Sequence, residues 1–251
     1  MKKILISIIS TNQNKLLNKL LKDLTKFKFF YKIVITLNGE CKNNNMIYAY
    51  KKKLPLCFIH KKNKVGFAEN HNNVFNKFNS DIFIVLNPDI RILNFEIIEI
   101  LNIFTNHKKI GLISPIILNK NYEKEDFARY FPNILTPFLR KILKFKTNYK
   151  LNKKINYVDW VAGMFMIFRS NDFKKVNFFD PNFLLYYEDV DICLKLKKKF
   201  KKVVALNSKK IKVIHNSQRA SHKNIFYLYI HLKSYFYYHI KNKYFFLVKK
   251  Y

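Results

Sequence analysis

Three nearly unbroken apolar runs set the terms for this chain: Lys3 to Ile9, Lys32 to Leu37, and DIFIVL at Asp81 to Leu86. None alternates polar with apolar residues, so a strand built from any of them needs cover on both faces, as in a parallel sheet. Between the first two, Leu16, Leu17, Leu20, Leu21, Leu24 and Phe27 recur at helical spacing after the polar turn Ser10-Thr11-Asn12. Strand, helix, strand in this order is a β-α-β unit and predicts an α/β fold with a mostly parallel sheet. Ligands of such sheets bind beyond the carboxyl ends of the strands, where Ser10, Thr11, Asn38 and Gly39 fall.

The remaining elements follow the same logic. Leu56 to His60 reads as a short strand leading to Gly66, after which a helix begins near Phe67 or Ala68 and carries Val74, Phe75 and Phe78. Asn70, His71, Asn72 and Asn73 crowd that helix. Asn is poor in helix interiors, so they read either as side-chain hydrogen-bonding groups or as a symptom of an Asn-rich chain. The run DIFIVL enters Asn87-Pro88-Asp89, where Pro88 stops the ladder and presents Asp89 at the strand end. A carboxylate there, with Asn87 two residues before it, is a hard-metal site or simply a turn. Phe95 to Phe104 predicts a helix, and Ile110 to Leu118 a strand. Residues 120–156 are basic and irregular, the pattern of an insertion or lid. Val158 to Phe168 returns to core and holds Trp160 and Gly163. Val203 to Leu206 and Ile211 to Ile214 predict short strands, the second ending at His215.

Acids are scarce, which makes their placement informative. Asp180, Glu188, Asp189 and Asp191 lie within twelve positions of a chain that has 16 Asp and Glu in all. Apolar neighbours raise carboxylate pKa values toward a useful range for a general base, whereas a helix N-terminus at Asp189 favours the ionised form. An N-cap cluster opening an ordinary amphipathic helix is the alternative.

With 48 Lys and Arg the formal balance is 48 − 16 = +32. Part of this is compositional, since Lys, Asn, Ile, Phe and Tyr, all with A/T-rich codons, are inflated together. The charge nonetheless draws the protein to anionic partners: nucleic acid, acidic lipid or phosphorylated substrates. Three cysteines without metal-ligand spacing predict reduced thiols in a cytosolic protein. The amino-terminal run is too short for a signal sequence, and no stretch reaches the ~18 apolar residues of a membrane span.

In order along the chain stand NKVGFAENHN from Asn63, NPD from Asn87, VDWVAG from Val158, FFDPNFLLYYEDVD from Phe178, and IH followed by SQRAS. This series resembles the family 2 inverting glycosyltransferases, in particular the rhamnosyltransferase-like branch of bacterial surface polysaccharide synthesis. The resemblance runs from Ile4 to about Tyr238. It implies a GT-A fold, a nucleotide-diphosphate sugar donor, a divalent metal (Mn²⁺ or Mg²⁺) and transfer of a sugar, rhamnose among the candidates, to a growing glycan carried on a lipid. It implies Asp189 as catalytic base; Asp89 and His215, with Asn87, at the metal; Trp160, Gly163 and Glu188 at the acceptor; and Ser10, Thr11, Asn38, Gly66 and Asn70 along the donor. Arg219 is added to the donor set as a diphosphate contact. The family usually ends its second strand in Asp-Asn, and here Leu37 replaces that Asp.

The implied organisation is a transferase domain over 1–221, with a nucleotide-binding half about 1–118 and an acceptor-binding half about 119–221. A basic aromatic helical tail follows over 222–251. In the tail, Phe226, Tyr229, Ile230, Lys233, Tyr237 and Ile240 recur at near-helical spacing with Lys241, Lys243, Lys249 and Lys250 nearby. Such a segment predicts binding to an anionic membrane surface, at the inner face of the cytoplasmic membrane, or else a helix that covers the core. Three other readings remain: a nucleotidyltransferase, disfavoured because Ser10 to Gln13 has no Gly; a nucleic-acid-binding protein, for which no module can be read; and an inactive scaffold of the same family.

Overall fold

The computed structural model describes residues 2–28, 31–40, 45–134, 148–216 and 225–248, with side chains up to 243 in the last stretch. The chain opens as read: β1 (Ile4–Ser10), α1 (Asn14–Leu24), β2 (Lys32–Asn38), the short helix α2 (Asn45–Tyr48) and β3 (Leu56–Lys61). Next come α3 (Phe67–Lys77), β4 (Ile82–Leu86), β5 (Ile90–Phe95), α4 (Ile97–Asn106), β6 (Ile110–Pro115), β7 (Ile117–Leu118) and β8 (Ala128–Arg129). The remainder is β9 (Ile155–Val158), β10 (Trp160–Val161), β11 (Phe165–Arg169), α5 (Ser170–Lys175), α6 (Glu188–Lys198), β12 (Lys202–Leu206), β13 (Ile211–His215) and α7 (Ile225–Val248).

Among the described residues, eight strands form one sheet in the order β3-β2-β1-β4-β11-β6-β12-β9. The apolar runs account for its centre. All five residues of β4 are buried, and the strand pairs in parallel with β1 and antiparallel with β11. Because β1, β2 and β4 run in parallel, Ser10, Leu37 and Leu86 finish at one edge, in registers Ser10↔Leu37 and Ile8↔Leu86. That edge is the crevice where such sheets bind ligands.

Two departures from the pattern-based expectation matter for the site. The segment after Asp89 is a strand, β5, before it is a helix: α4 begins only at Ile97. Leu93 and Asn94 are exposed and Arg91 turns to the buried Asp23 of α1, so no unbroken apolar run announces it. The expected strand over 110–118 breaks at Pro115-Ile116, and Ile117–Leu118 joins a second sheet of order β5-β13-β7.

Six of the 16 acids (Asp23, Glu99, Asp172, Asp180, Glu188 and Asp191) are buried. No Lys or Arg is buried among the described residues.

Candidate active site

The small sheet brings two distant residues to one place. In β5 and β13, which pair antiparallel, His215 lies opposite Ile90, and the Asn216 N–H donates to the Asp89 carbonyl at 2.9 Å. Asp89 and His215 are thereby set side by side, Nε2 to Oδ2 at 3.2 Å. The other ring nitrogen, Nδ1, is 2.7 Å from a carboxylate oxygen of Glu125. Glu125 is held by backbone: its N–H donates to Ile117 in β7, after a turn in which Asn119 Oδ1 accepts from the N–H groups of Asn121 and Glu123. Burial by itself lowers the His215 pKa, but hydrogen bonds and charge from Asp89 and Glu125 outweigh it and leave the imidazole raised above 6.5.

A divalent cation fits these groups. Asp89 Oδ1 is buried with no hydrogen-bond partner, an arrangement that costs free energy unless a ligand completes it. With Nδ1–H donating to Glu125, Nε2 would be free to ligate metal, as in carboxylate-oriented histidine sites generally. Among the described residues no group of three or more His, Cys, Asp and Glu is arranged to hold an ion. A cation held by Asp89 and His215 would draw its remaining ligands from outside the protein. Asn87, half-buried, is tied through its backbone N–H to Met164 at 3.0 Å.

Facing the strand edge is the start of α6. Asp189 stands in its first turn and accepts two backbone hydrogen bonds, Val190 N–H to Oδ1 at 2.8 Å and Gly163 N–H to Oδ2 at 2.9 Å. Burial raises its pKa despite those two donors and the positive charge of Arg129. Burial, joined by the charge of Asp189, pushes Glu188 much further up, and Glu188 Oε2 has no hydrogen-bond partner. Both acids are thus shifted toward their protonated forms, Glu188 the more strongly. Just before them Tyr186 and Tyr187 both adopt left-handed backbone, φ 69° and 68°. Two consecutive aromatic residues in that region form a strained turn, a feature that concentrates at functional sites.

Of the residues the resemblance implies along the donor, several spend their side chains on the protein itself. Asn38 pairs with both backbone groups of Val65, donating at 2.9 Å and accepting at 3.0 Å. Asn70 donates to the carbonyls of Val65 and Gly66, and its Oδ1 is buried without a partner. Ser10 is fully buried, and Thr11 is half-exposed. A Cβ on Gly66 would sit 2.8 Å from the Leu184 carbonyl oxygen, so Gly at this position lets the loop before Glu188 lie against the start of α3. The amide cluster of α3 is indeed a set of hydrogen-bonding groups: Asn72 clasps Phe179 through both of its backbone groups, at 2.9 and 3.1 Å. Ser7 Oγ reaches His71 Nδ1 at 2.7 Å, and burial drives the pKa of that histidine down to about 3. Leu37, in place of the usual Asp, is 1% exposed and belongs to the core.

Trp160, which the resemblance implies at the acceptor, is nearly buried, with its indole N–H donating to the Tyr130 carbonyl at 2.9 Å. Arg129, held by Asp126 at 2.7 and 2.6 Å, places its guanidinium 5.4 Å from the centre of the Trp160 ring. Arg219 lies outside the described residues. Glu125 and Arg129 were not readable as site residues, because they sit in a stretch with no periodic pattern to place them.

In α7 the outward face differs from the one that spacing suggested. Ile230 is turned inward, Tyr237 is half-buried against Phe183, and Lys241 is engaged with acids. Lys249 and Lys250 lie outside the described residues.

A large central sheet flanked by helices, with Asp89 just beyond β4 and Asp189 at the start of α6, is the architecture of the GT-A glycosyltransferases. Solved structures agree. The structure of TarS from S. aureus aligns with a TM-score of 0.62 at 12% identity, over 86% of this chain and 37% of that one. The mannosyltransferase PcManGT of Pyrobaculum calidifontis, solved with GDP-Man and Mn²⁺, aligns with a TM-score of 0.64 at 11% identity, over 96% and 64%. The chain thus spans less than two thirds of the length of these structures. Rhamnosyltransferase WbbL of Escherichia coli (strain K12) is 28% identical over 205 residues, 76% of this chain and 75% of that protein. The profile of the glycosyltransferase like family matches residues 40–235, and the chain belongs to that family.

Proposed function

We propose that this protein is an inverting glycosyltransferase that moves a sugar, with rhamnose the first candidate, from a nucleotide-diphosphate donor to a hydroxyl of a surface glycan. The observation that carries the reading is Asp189: a carboxylate fixed by two amide donors beside the buried Glu188, in a fold that also sets Asp89 beside His215. The WbbL relationship favours a deoxyhexose donor, and the solved complex of PcManGT favours a nucleotide sugar with a divalent ion.

In this mechanism Asp189 takes the proton of the acceptor hydroxyl. The freed oxygen forms the new bond to C1 as the bond from C1 to the phosphate oxygen breaks, and the diphosphate leaves with that electron pair. Attack from the face opposite the diphosphate inverts C1 in one step. Asp89 and His215 would hold Mn²⁺ or Mg²⁺, which when bound offsets the charge on the diphosphate. Glu125 keeps His215 in the tautomer and orientation this requires. Trp160, Gly163 and Glu188 shape the acceptor side, and Ser10, Thr11, Gly66 and Asn70 the donor side.

The reading extends to a lipid-carried acceptor at an anionic membrane surface. Among the described residues no helix is long and apolar enough to cross a membrane. However, α7 exposes Ile225, Tyr229, Leu232, Phe236 and Ile240 along one side, at the i, i+4, i+7 spacing of a single helix face. Such a face can rest among headgroups while Lys233 and Lys243, both exposed, meet anionic lipid.

The test is turnover of a panel of nucleotide sugars, with NMR assignment of the product anomer. Transfer with inversion that is lost in Asp189→Asn supports the proposal. Transfer with retention, or an active Asp189→Asn, removes the mechanism.

A further inference from the structure

The segment that carries Asp189 lies between two acids, Asp180 at the head of the loop and Asp191 in the first turn of α6, 9% and 1% exposed. One side chain meets both. Lys241 Nζ, from α7, is 2.7 Å from Asp180 Oδ2 and 2.8 and 2.9 Å from the two oxygens of Asp191. Lys195 Nζ lies 3.8 Å from Asp191 and also feels the charge of Asp180, and Lys198 feels the charge of Asp191, but neither bridges the two acids by hydrogen bonds as Lys241 does. Further contacts follow from the same helix. Tyr237 O–H donates to Asp180 at 2.9 Å, and Ser234 O–H donates to the Leu185 carbonyl at 2.8 Å. The Tyr187 ring packs on Tyr235 and Tyr238, with centroids 5.9 and 5.4 Å apart.

These contacts bracket the strained pair Tyr186-Tyr187. A left-handed aromatic turn persists only where its surroundings over-determine it. Asp180 and Asp191 fix the two ends of the segment, Ser234 its middle and the tyrosines of α7 its strained residue. The next residues in the chain are Glu188 and Asp189.

We infer that Lys241 is a positioning residue for the catalytic base: by joining Asp180 to Asp191 it holds the loop in the shape that aims Asp189 at the acceptor. The inference rests on the glycosyl-transfer reading with Asp189 as base. It makes α7 part of the active site's framework as well as a surface helix. Burial opposes a charge on Lys241, but its two carboxylate partners overcome that and raise its pKa, so the cation is present throughout the working pH range.

The experiment compares Lys241→Met, Lys241→Arg and Ser234→Ala with the unaltered protein. It measures kcat, donor KM, donor affinity by calorimetry and hydrogen exchange across residues 181–190. Lys241→Met is expected to lower kcat about 10- to 100-fold, the scale of a misplaced catalytic group. Donor affinity should stay within about twofold, and loop exchange should quicken. Lys241→Arg should recover most of kcat. Ser234→Ala removes one neutral contact without exposing a buried acid. It should show the same signature at smaller size, so the inference can be judged even if Lys241→Met does not fold. Unchanged kcat in Lys241→Met, a parallel loss of donor affinity, or unaltered loop exchange in both variants would overturn it. An unaltered protein that turns over no nucleotide sugar would instead count against the functional reading, and the exchange data would still report on the clamp.

Discussion

Asp89 and His215 stand 126 positions apart in the chain and 3.2 Å apart in space, because β5 and β13 pair antiparallel and end together. Asp89→Ala and His215→Ala should each abolish most of the extra thermal stability that Mn²⁺ and a nucleoside diphosphate confer together. Binding stabilises by RT ln(1 + [L]/Kd), so a hundredfold loss of affinity removes up to ~2.7 kcal/mol at saturating ligand. If both variants keep the full shift, or a chelator leaves turnover untouched, the pair does not hold a metal.

Glu125→Gln tests the partner of His215 separately. The amide can still accept from Nδ1–H but lacks charge, and outer-shell changes of this kind typically cost 10- to 100-fold in metal affinity. Calorimetric titration with Mn²⁺ in the presence of diphosphate reads the loss directly. Wild-type affinity would reduce Glu125 to a structural role.

The acid pair predicts two pH effects. Asp189 must be ionised to accept a proton, and burial places its pKa above 3.8, so kcat should fall on the acid side at a higher pH than an ordinary aspartate would give. Glu188 is raised above 4.5 in the folded protein, so its contribution to stability is complete below that pH and is lost as pH climbs toward the folded value. Glu188→Gln should therefore flatten the decline of Tm as pH rises above 4.5. An unchanged slope would mean that Glu188 is ionised in the fold.

Gly66→Ala should cost about 1–3 kcal/mol, because the new Cβ meets the Leu184 backbone at 2.8 and 3.2 Å, and backbone there cannot swing aside. In a chain of this size that lowers Tm by several degrees. The displaced segment leads into Tyr186 and Asp189, so kcat should drop as well. A variant with unaltered Tm would show that the loop has room to yield.

For the membrane surface, the paired change Phe236→Asp with Ile240→Asp is the cleaner test, since removing α7 whole would also remove the contacts to Leu185 and Asp180. The protein should sediment with vesicles containing anionic lipid and be released by salt, each well-placed Lys contributing ~1 kcal/mol. The paired variant should stay in solution. Equal binding to neutral vesicles would assign the exposed face to something other than an anionic bilayer.

What the chain discloses by pattern and what it conceals divide along physical lines. Strands buried on both faces, β1, β2 and β4, are visible because burial excludes polar residues from them. The placement of Asp89 and His215 at strand ends was readable for the same reason: a polar group directly after such a run stands at the sheet edge. β5 was not, because a strand interrupted by Arg91 and Asn94 has no unbroken apolar run and merges into the helix behind it. The role of Glu125 depends on a turn shaped by Asn119, in a stretch without any period. Lys241 was hidden in another way: in a chain with 48 basic residues, nothing in the sequence distinguishes one lysine that meets two buried acids. Conversely, Asn38 and Asn70 looked like ligand-facing amides, and their side chains are largely occupied with the backbone of Val65 and Gly66.

The inward placement of the acids also bears on kinetics. With six carboxylates buried and no buried lysine or arginine among the described residues, the outer surface is more uniformly positive than the formal charge of +32 conveys. For the proposed nucleotide-diphosphate donor this excess of positive charge is attractive at long range. Encounter with the donor is then accelerated by long-range attraction, by a factor of ~10 to 10³ at low ionic strength. Rising salt would slow capture while leaving the rate of the bound complex alone, so kcat/KM for the donor would carry the ionic-strength dependence and kcat would not.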